Sequence, residues 1–257
     1  MVYRASSRLG ILTVMQYKLL SIIVPVYNEG TFISHIIERV AKADSSGLQK
    51  ELIIVNDGST DNTNNMIHKT LRALPLNTMK VRYINKPSNK GKGAALRTGF
   101  LKSTGDIVII LDADLEYDPD DLPIMLEPFT RYGADAVYGS RFMGHRPHRI
   151  LYFWHFMANK FLTTFSNLCN NLNFTDIETG YKAFKGDLIR TIAPRLRCRH
   201  FGFEPEITAR LAKIKDIKLY EVGVSYSGRT YAQGKKIGLK DGIKAIWEIL
   251  RYNIFER

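Results

Sequence analysis

The sequence predicts an α/β fold with a mostly parallel sheet flanked by helices. Two observations predict this class. Short aliphatic runs alternate with segments of helical periodicity between residues 19 and 138, which indicates consecutive βαβ units. These runs also end in polar or acidic residues, as strands do at the ligand-binding edge of a parallel sheet. We expect one domain at residues 18–235, preceded by an extension at 1–17 and followed by a basic amphipathic helix at 236–257.

Each predicted element follows from its own pattern. Aliphatic and β-branched runs indicate strands at 19–26, 51–55, 81–84, 106–111 and 136–138. Helix-like patterns indicate helices at 31–43, 62–74 and 91–103, and a further one from Pro119 to about Tyr132. An aromatic-rich segment at 150–170 and an amphipathic segment at 238–255 follow.

The segment 107–114 carries the strongest single signal. Five aliphatic residues, Ile107 to Leu111, are followed by Asp112 and Asp114. The run predicts a strand buried on both faces in the centre of the sheet. In an extended chain both carboxylates project to the same side, and their mutual repulsion calls for a cation. Mg²⁺ or Mn²⁺, itself bound to a diphosphate, is the natural candidate; the alternative is a polar turn that only ends the strand.

Two further strand ends are expected at the same edge of the sheet. Residues 24–29 end in Tyr27 and Glu29, and residues 55–59 contain Asp57. Tyr27 can cover a base, and Glu29 and Asp57 can accept hydrogen bonds from base nitrogens or ribose hydroxyls. The stretch around Asp57 also fits an ordinary turn. The nucleotide interpretation therefore depends on the three acidic strand ends together.

The charge of the chain points to anionic partners. The net charge is +12 and the pI is about 9.6, which suits nucleic acid, phosphorylated ligands or an anionic membrane. Cys169 and Cys198 form no C-x-x-C pair and fit a reducing compartment. No stretch reaches the roughly 18–20 apolar residues needed to span a bilayer, and the N-terminus does not fit a signal peptide. Any membrane contact is expected to be peripheral.

The last predicted helix has an apolar face beside a basic flank, with Trp247 on the border. A helix of this kind fits the surface of an anionic bilayer. The alternative is a C-terminal helix docked on its own domain. The apolar face consists of Leu239, Ile243, Ile246, Leu250 and Ile254, and the flank of Lys240, Lys244 and Arg251.

Three common phosphate-binding patterns are absent from the sequence. Residues 91–93 lack the G-x-x-x-x-G-K-[ST] pattern of a Walker A loop. The first βα turn lacks the G-x-G-x-x-G of dinucleotide oxidoreductases, and the early G-x-G-T-R-type loop of sugar nucleotidyltransferases is also missing. The backbone at 91–93 can still approach a ligand, and Lys92 adds positive charge.

Six motifs occur in a fixed order along the chain. They are 24–29 (VPVYNE), 56–61 (NDGSTD), 89–95 (NKGKGAA), 112–114 (DAD), 139–142 (GSRF) and 176–182 (DIETGYK). Taken together, they resemble family 2 glycosyltransferases with the GT-A fold. Within that family the chain is most similar to the dolichyl- and polyprenyl-phosphate sugar synthases, over residues 18–250. The resemblance implies a Rossmann-like nucleotide-diphospho-sugar transferase domain, a UDP- or GDP-linked sugar donor, Mg²⁺ or Mn²⁺, and inverting chemistry.

The resemblance also implies roles for individual residues. Asp112, Ala113 and Asp114 would hold the ribose, metal and diphosphate. Glu116 would join Asp112 and Asp114 as a metal ligand, and Arg141 would face the transferring phosphate or sugar. Residues expected around the base and ribose are Pro25, Tyr27, Glu29, Val55 and Asp57; Arg229 and Lys235 are expected to close over the diphosphate, with Lys92 also near the donor.

The acceptor decides whether the reaction needs a base. A sugar hydroxyl must lose a proton, whereas a lipid monophosphate is already anionic because its second pKa is about 6. Glu204 is the best candidate for a catalytic or orienting carboxylate; its alternative is a helix N-terminal acid. A basic cluster favours a phosphate acceptor, and the alternative is that it forms a solvated charged loop. The cluster consists of Arg141, Arg146, His148 and Arg149.

We therefore predict transfer of a sugar from a nucleotide donor to polyprenyl or dolichyl phosphate, at the cytoplasmic membrane face, without a nucleic-acid partner. The expected catalytic residues are Asp114, Glu204 and Arg141. One alternative is a family 2 enzyme that uses a hydroxyl on a glycan, lipid or polysaccharide and depends on Glu204 or Glu206. The other is a binding module that docks to a membrane partner through its C-terminal helix.

Overall fold

The computed structural model describes residues 17–75, 79–144, 146–150, 152–200, 202–229 and 239–256, without the side chains of 239–241 and 243. The strands are β1 Leu19–Val26, β2 Gln49–Asn56, β3 Lys80–Asn85, β4 Ile107–Ile110, β5 Ala136–Ser140, β6 Lys182–Lys185 and β7 Leu219–Gly223. The helices are α1 Ile33–Lys42, α2 Thr63–Ala73, α3 Lys92–Lys102, α4 Leu122–Tyr132, α5 Phe153–Asn170, α6 Gly186–Ile192, α7 Phe203–Ala212 and α8 Leu239–Leu250.

The strands described form one mixed sheet in the order β3-β2-β1-β4-β6-β5-β7. β1 pairs in parallel with both β2 and β4, so the carboxyl ends of these three strands meet at one edge. β6 is antiparallel to β4 and to β5. The predicted α/β class with a mostly parallel sheet is confirmed. The sequence patterns did not predict β6, β7, α6 or α7.

The core lies on both faces of the sheet, as the aliphatic run before Asp112 predicts. Ile107 and Ile109 pack with α1, α2 and α4 on one face, while Val108 and Ile110 pack with α3, α6, α7 and α8 on the other. All four side chains are at most 1% exposed. Because period-2 alternation places neighbours on opposite faces, this strand stabilises both layers and fixes the position of the chain that follows it.

The C-terminal helix α8 docks on its own domain, against α5 and α7. Ala245 and Ile249 are buried in this contact, and a π-helical turn, Arg251–Phe255, continues it with Tyr252 buried. Ile246 and Leu250 are half-buried, and Ile254 is exposed, so the predicted apolar face is rotated from the one that docks. Trp247 remains exposed. The side chains of Leu239 and Ile243 lie outside the described residues.

Helix α5 begins with its aromatic side chains facing solvent. Phe153 and Trp154 are 63% and 79% exposed. Phe161, about two helical turns further along, is 59% exposed. Only its second half packs firmly, through Leu162, Thr163 and Ser166. None of the helices in the described part of the chain is long and apolar enough to cross a membrane.

Candidate active site

The carboxyl end of β4 gathers three carboxylates. Leu115 has a left-handed φ of 60°, which turns the chain directly after Asp114. The amide of Glu116 then donates to Oδ1 of Asp114 at 3.2 Å. Burial, followed by the charges of Asp112 and Glu116, raises the pKa of Asp114 to about 7. These carboxylates are therefore close enough to repel one another.

Two cations approach this cluster. Lys92, at the start of α3, donates to Oδ2 of Asp112 at 2.9 Å. Arg229 contacts three acids: its Nη2 lies 2.8 Å from Asp114 Oδ2, and its Nη1 and Nε lie 3.4 Å from Glu29 and Glu116. Burial alone would lower the pKa of Lys92, but Asp112 raises it overall. Lys235, predicted to act with Arg229, lies outside the described residues.

The chemistry of the cluster fits a hard divalent cation, because its donors are carboxylate oxygens carrying uncompensated charge. The predicted set of three ligands nevertheless does not converge within the described residues. Glu116 accepts from the Tyr226 hydroxyl at 2.7 Å and from the Arg229 amide at 2.9 Å, so it holds the later segment in place. Asp112 and Asp114 are the residues that would hold a cation here.

The ends of β1 and β2 are tied together beside this cluster. Asn28 has a φ of 53°. Its side-chain oxygen accepts from the backbone amide of Thr60 at 2.9 Å, and its backbone amide donates to the hydroxyl of Ser59 at 2.9 Å. Asn tolerates this left-handed conformation better than most residues. Tyr27 stands beside it at 37% exposure. Glu29, which follows Asn28, is one of the three acids that Arg229 contacts.

Two predicted donor contacts are placed differently. Asp57 is buried and accepts from Lys86 Nζ and from the amides of Lys90 and Gly91 at 2.9 and 2.6 Å, so its carboxylate anchors the loop before α3. Val55 is fully buried in the core beside α3 and has no exposed side-chain surface for a base. Pro25, partly exposed, and Ala113, 3% exposed, lie where β1 and β4 reach the cleft.

Arg141 is held by a buried carboxylate that sequence reasoning did not assign. Asp176, fully buried, accepts from Nε and Nη2 of Arg141 at 2.6 and 2.7 Å. Nη2 also donates to Asn159 of α5 at 3.2 Å. The amide of Asp176 donates in turn to Glu221 of β7 at 3.0 Å. Although burial would lower the pKa of Arg141, Asp176 raises it, so this guanidinium is a fixed positive charge.

Glu204 lies in the first turn of α7 at 5% exposure and reaches the same centre. Its Oε1 is 3.1 Å from Lys92 Nζ, and its Oε2 has no hydrogen-bond partner among the described residues. Burial and then Glu204 raise the pKa of Glu178 to about 7, while burial lowers the pKa of Lys182 to about 8. Glu178 and Lys182 form, with Glu204, a buried charged layer that the sequence did not reveal.

The remaining members of the predicted basic cluster are exposed. Arg146 lies 3.5 Å from Asp121, and Arg149 donates to the carbonyl of Gly228 at 3.0 Å. His148 forms a backbone bridge with Tyr226. Glu206, the alternative base, is fully buried and accepts from two backbone amides and from Arg210, which gives it a structural role.

Replacing Gly180 with Ala is expected to weaken binding of a nucleoside diphosphate with Mn²⁺ by about 10–100-fold, the usual effect of disturbing a group that orients a metal ligand. A Cβ at this position would lie 2.2 Å from Asp112 Oδ2, so the carboxylate must move. Titration calorimetry with UDP and GDP in Mn²⁺ measures the effect. Gly242→Ala is the matched control, because its Cβ meets nothing within 4 Å. Unchanged affinity in Gly180→Ala would contradict the role of Asp112.

Comparison with known proteins places this site in context. The chain is 25% identical over 251 residues to a UDP-N-acetylglucosamine–dolichyl-phosphate N-acetylglucosaminyltransferase of Methanococcus voltae, covering 92% of this chain and 96% of that protein. It is 27% identical over 252 residues to a dolichyl-phosphate beta-glucosyltransferase of Trichomonas vaginalis, covering 93% and 74%. A glucosyl-3-phosphoglycerate synthase of Mycobacterium tuberculosis, solved with Mn²⁺, UDP and phosphoglyceric acid, is similar with a TM-score of 0.70 at 18% identity, covering 92% and 79%.

The fold is that of the GT-A glycosyltransferases, which take their sugar from a nucleotide donor. The family model for glycosyl transferase family 2 matches residues 21–191. The chain belongs to this family.

Proposed function

We propose that the enzyme transfers a sugar from a UDP- or GDP-linked donor to a polyprenyl or dolichyl phosphate at a membrane face. The observation that carries the acceptor class is the contact between Arg141 and Asn159 of α5. This contact joins the buried cation of the site to a helix whose first half exposes Phe153 and Trp154. A lipid chain lying along α5 would bring its phosphate towards Arg141. The dolichyl-phosphate acceptors named for the two relatives support the same class.

The proposed chemistry follows from the charges. The acceptor phosphate oxygen attacks the anomeric carbon from the face opposite the nucleotide, and the bond to the diphosphate breaks. Arg229 balances negative charge on the departing diphosphate, and Arg141, held by Asp176, orients the acceptor phosphate. A divalent cation bound by Asp112 and Asp114 would supply further neutralisation of the diphosphate. Because the acceptor is already anionic, no proton has to be removed from it.

A second candidate uses a hydroxyl acceptor, with Glu204 as the base. It is favoured by one observation, the unpartnered Oε2 of Glu204. The first candidate is the better supported, since the other oxygen of this carboxylate is paired with Lys92.

A panel of donors and acceptors separates the two. UDP-glucose, UDP-N-acetylglucosamine and GDP-mannose would each be tested with Mg²⁺ or Mn²⁺, against polyprenyl phosphate and against soluble glycans. We expect sugar to appear on the lipid phosphate, and Glu204→Gln to retain turnover with that acceptor. Efficient transfer to a soluble hydroxyl, with none to lipid phosphate and with loss of activity in Glu204→Gln, would favour the second candidate.

Replacing Phe153 and Trp154 together by Ser is expected to lower binding to neutral phosphatidylcholine vesicles by at least tenfold, because each aromatic buries apolar area at a membrane interface. Vesicle flotation measures the bound fraction. Tyr132→Ser is the control, since it removes an aromatic that is 54% exposed on α4. Equal binding by the α5 variant and the control would show that α5 does not contact the bilayer.

A further inference from the structure

A second charged site lies away from the carboxylate cleft. A groove of about 1390 Å³ runs between α3, residues 194–199, α7 and the π-helical turn after α8. None of the site residues Asp112, Asp114, Arg141, Glu204 and Arg229 lines it. Its cationic lining residues are Lys86, Lys90, Arg97, Arg195, Arg197, Arg199, Arg210 and Lys213.

The groove carries a large surplus of positive charge. Glu256 is the acid that lines it, and it pairs with Arg197 at 3.0 Å. Asp57 and Glu206 neutralise two further lining cations from outside. Eight cations against three carboxylates leave five positive charges. Like charges so close together repel, and a bound anion relieves the repulsion.

Three of these arginines form a stripe at the end of a 3-10 turn, Ala193–Arg195, and in the irregular segment that follows it. Arg195, Arg197 and Arg199 are exposed, whereas the intervening Leu196 is 4% exposed and Cys198 is half-buried. All three arginines line the same groove, so they lie on one side of this segment. Arg195 and Arg199 have no side-chain partner within the described ranges. We call this set the arginine stripe.

The backbone of the arginine stripe is fixed by the domain beneath it. The carboxylate of Glu206 accepts from the amides of Arg197 and Cys198 at 2.9 and 2.7 Å. The carbonyl of Arg199 accepts from the amide of Ala94 in α3 at 3.2 Å. The stripe is thus held in a set conformation, which lowers the entropic cost of binding a ligand that bridges several guanidinium groups.

The rim of the groove indicates the source of the anion. Leu101 and Phe255 line it and are 48% and 67% exposed. The ring centroid of Phe255 lies 6.1 Å from that of Trp247, which is 56% exposed on α8. Exposed aromatics beside cations are typical of surfaces that sit at the headgroup level of a bilayer.

We propose that this groove binds the phosphate headgroups of anionic phospholipids, with the arginine stripe as its main contact. Guanidinium groups bind phosphate oxygens through paired hydrogen bonds. The excess positive charge of the groove does not depend on the proposed reaction. The choice of a lipid as the source of the bound phosphate rests on the proposed lipid-phosphate acceptor. The groove then adds a headgroup contact to the apolar contact of α5, and orders the enzyme on membranes that carry negative charge.

The test compares binding of the full chain to vesicles of phosphatidylcholine alone and with phosphatidylglycerol. R195Q/R197Q/R199Q is expected to lose about 100-fold in affinity for the anionic vesicles, the combined effect of three arginines near an anionic surface. Binding to neutral vesicles should be unchanged. K42Q/K69Q/R72Q is the matched control, because it removes the same charge from exposed positions on α1 and α2. R195K/R197K/R199K keeps the charge but loses the paired hydrogen bonds, so its affinity should fall between those of the wild type and the glutamine variant.

Equal losses in the two glutamine variants would overturn the proposal, since net charge alone would then explain the binding. Competition by micromolar inorganic pyrophosphate would overturn the lipid source in favour of a soluble phosphate. Tighter binding to a single-stranded oligonucleotide than to anionic vesicles would overturn it in favour of nucleic acid. No turnover is measured in this test. The proposal for the groove can therefore be wrong while the proposed sugar transfer to lipid phosphate is right, and the reverse also holds.

Discussion

Replacing Asp114 with Asn is expected to stabilise the metal-free protein and to abolish sugar transfer. Asp114 is buried beside Asp112 and Glu116, and its raised pKa of about 7 means that ionising it costs folding free energy. The amide removes that charge at nearly constant shape. We expect a gain of about 1–3 kcal/mol in the free energy of unfolding at pH 8, together with a fall in kcat of at least about 1000-fold, the scale of losing one charge-stabilising group.

The gain has a defined pH dependence. A carboxyl group whose folded-state pKa is raised binds more protons in the folded state between its ordinary value, 3.8, and its raised value, about 7. The wild-type protein therefore loses stability as pH rises through this window. The advantage of Asp114→Asn should grow as pH rises from about 4 to about 7 and then level off. Urea unfolding in EDTA at several pH values measures it.

Two controls complete this experiment. Asp120→Asn makes the same change where the carboxylate is 72% exposed beside Arg39, and we expect less than about 0.5 kcal/mol there. Mn²⁺ should raise the unfolding temperature of the wild-type protein, since a ligand bound only to the folded state stabilises it, and should leave Asp114→Asn unchanged. A less stable Asp114→Asn protein at pH 8 would show that Arg229 already neutralises Asp114 fully.

The strands that carry the cleft were predictable because their patterns are unambiguous. The run before Asp112 is aliphatic throughout, which is the usual composition of a strand buried on both faces. β6 and β7 carry no such signal. β6 contains the fully buried Lys182, and β7 contains Glu221 among half-buried residues. Lys182 donates to the carbonyls of Ile177 and Thr179, and Glu221 accepts from the amides of Thr175 and Asp176. Sequence periodicity does not show such compensation.

The same reason limits the prediction of the site. Asp112, Asp114, Glu29 and Arg229 were expected together, and the structure brings them into one cluster. Asp176 was quoted within a motif but given no role, since an acid in a loop is usually exposed. It lies buried beside Arg141 in the segment that leads into β6, which is antiparallel to β4 and β5. No local sequence pattern predicted β6.

The C-terminal helix shows how tertiary packing selects among faces. Ile246, Leu250 and Ile254 follow helical spacing, yet Ala245, Ile249 and Tyr252 are the buried positions. A small residue such as Ala245 allows close approach to α5, which a larger side chain on the predicted face would prevent. The hydrophobic pattern therefore placed the docking face of α8 about one residue away from the face that is buried.

Replacing Asp176 with Asn is expected to cost about 3–5 kcal/mol of unfolding free energy, the usual effect of removing one partner from a buried ion pair. Arg141 is only 10% exposed and would keep its charge without a counterion. Its guanidinium would also lose the fixed orientation that Nε and Nη2 now have, so kcat should fall more than KM rises. Urea unfolding and steady-state kinetics with the preferred donor measure the two effects.

A double-mutant cycle identifies the cause of this loss. In R141Q/D176N both charges are gone, so we expect it to be more stable than Asp176→Asn. Measured together with R141Q alone, the losses should be non-additive, with a coupling energy of about 1–3 kcal/mol. Glu127→Gln is the control: its pair with Arg131 is exposed on α4, and it should cost less than about 0.5 kcal/mol. If the double variant were no more stable than Asp176→Asn, the unpaired charge of Arg141 would not be the cause of the loss.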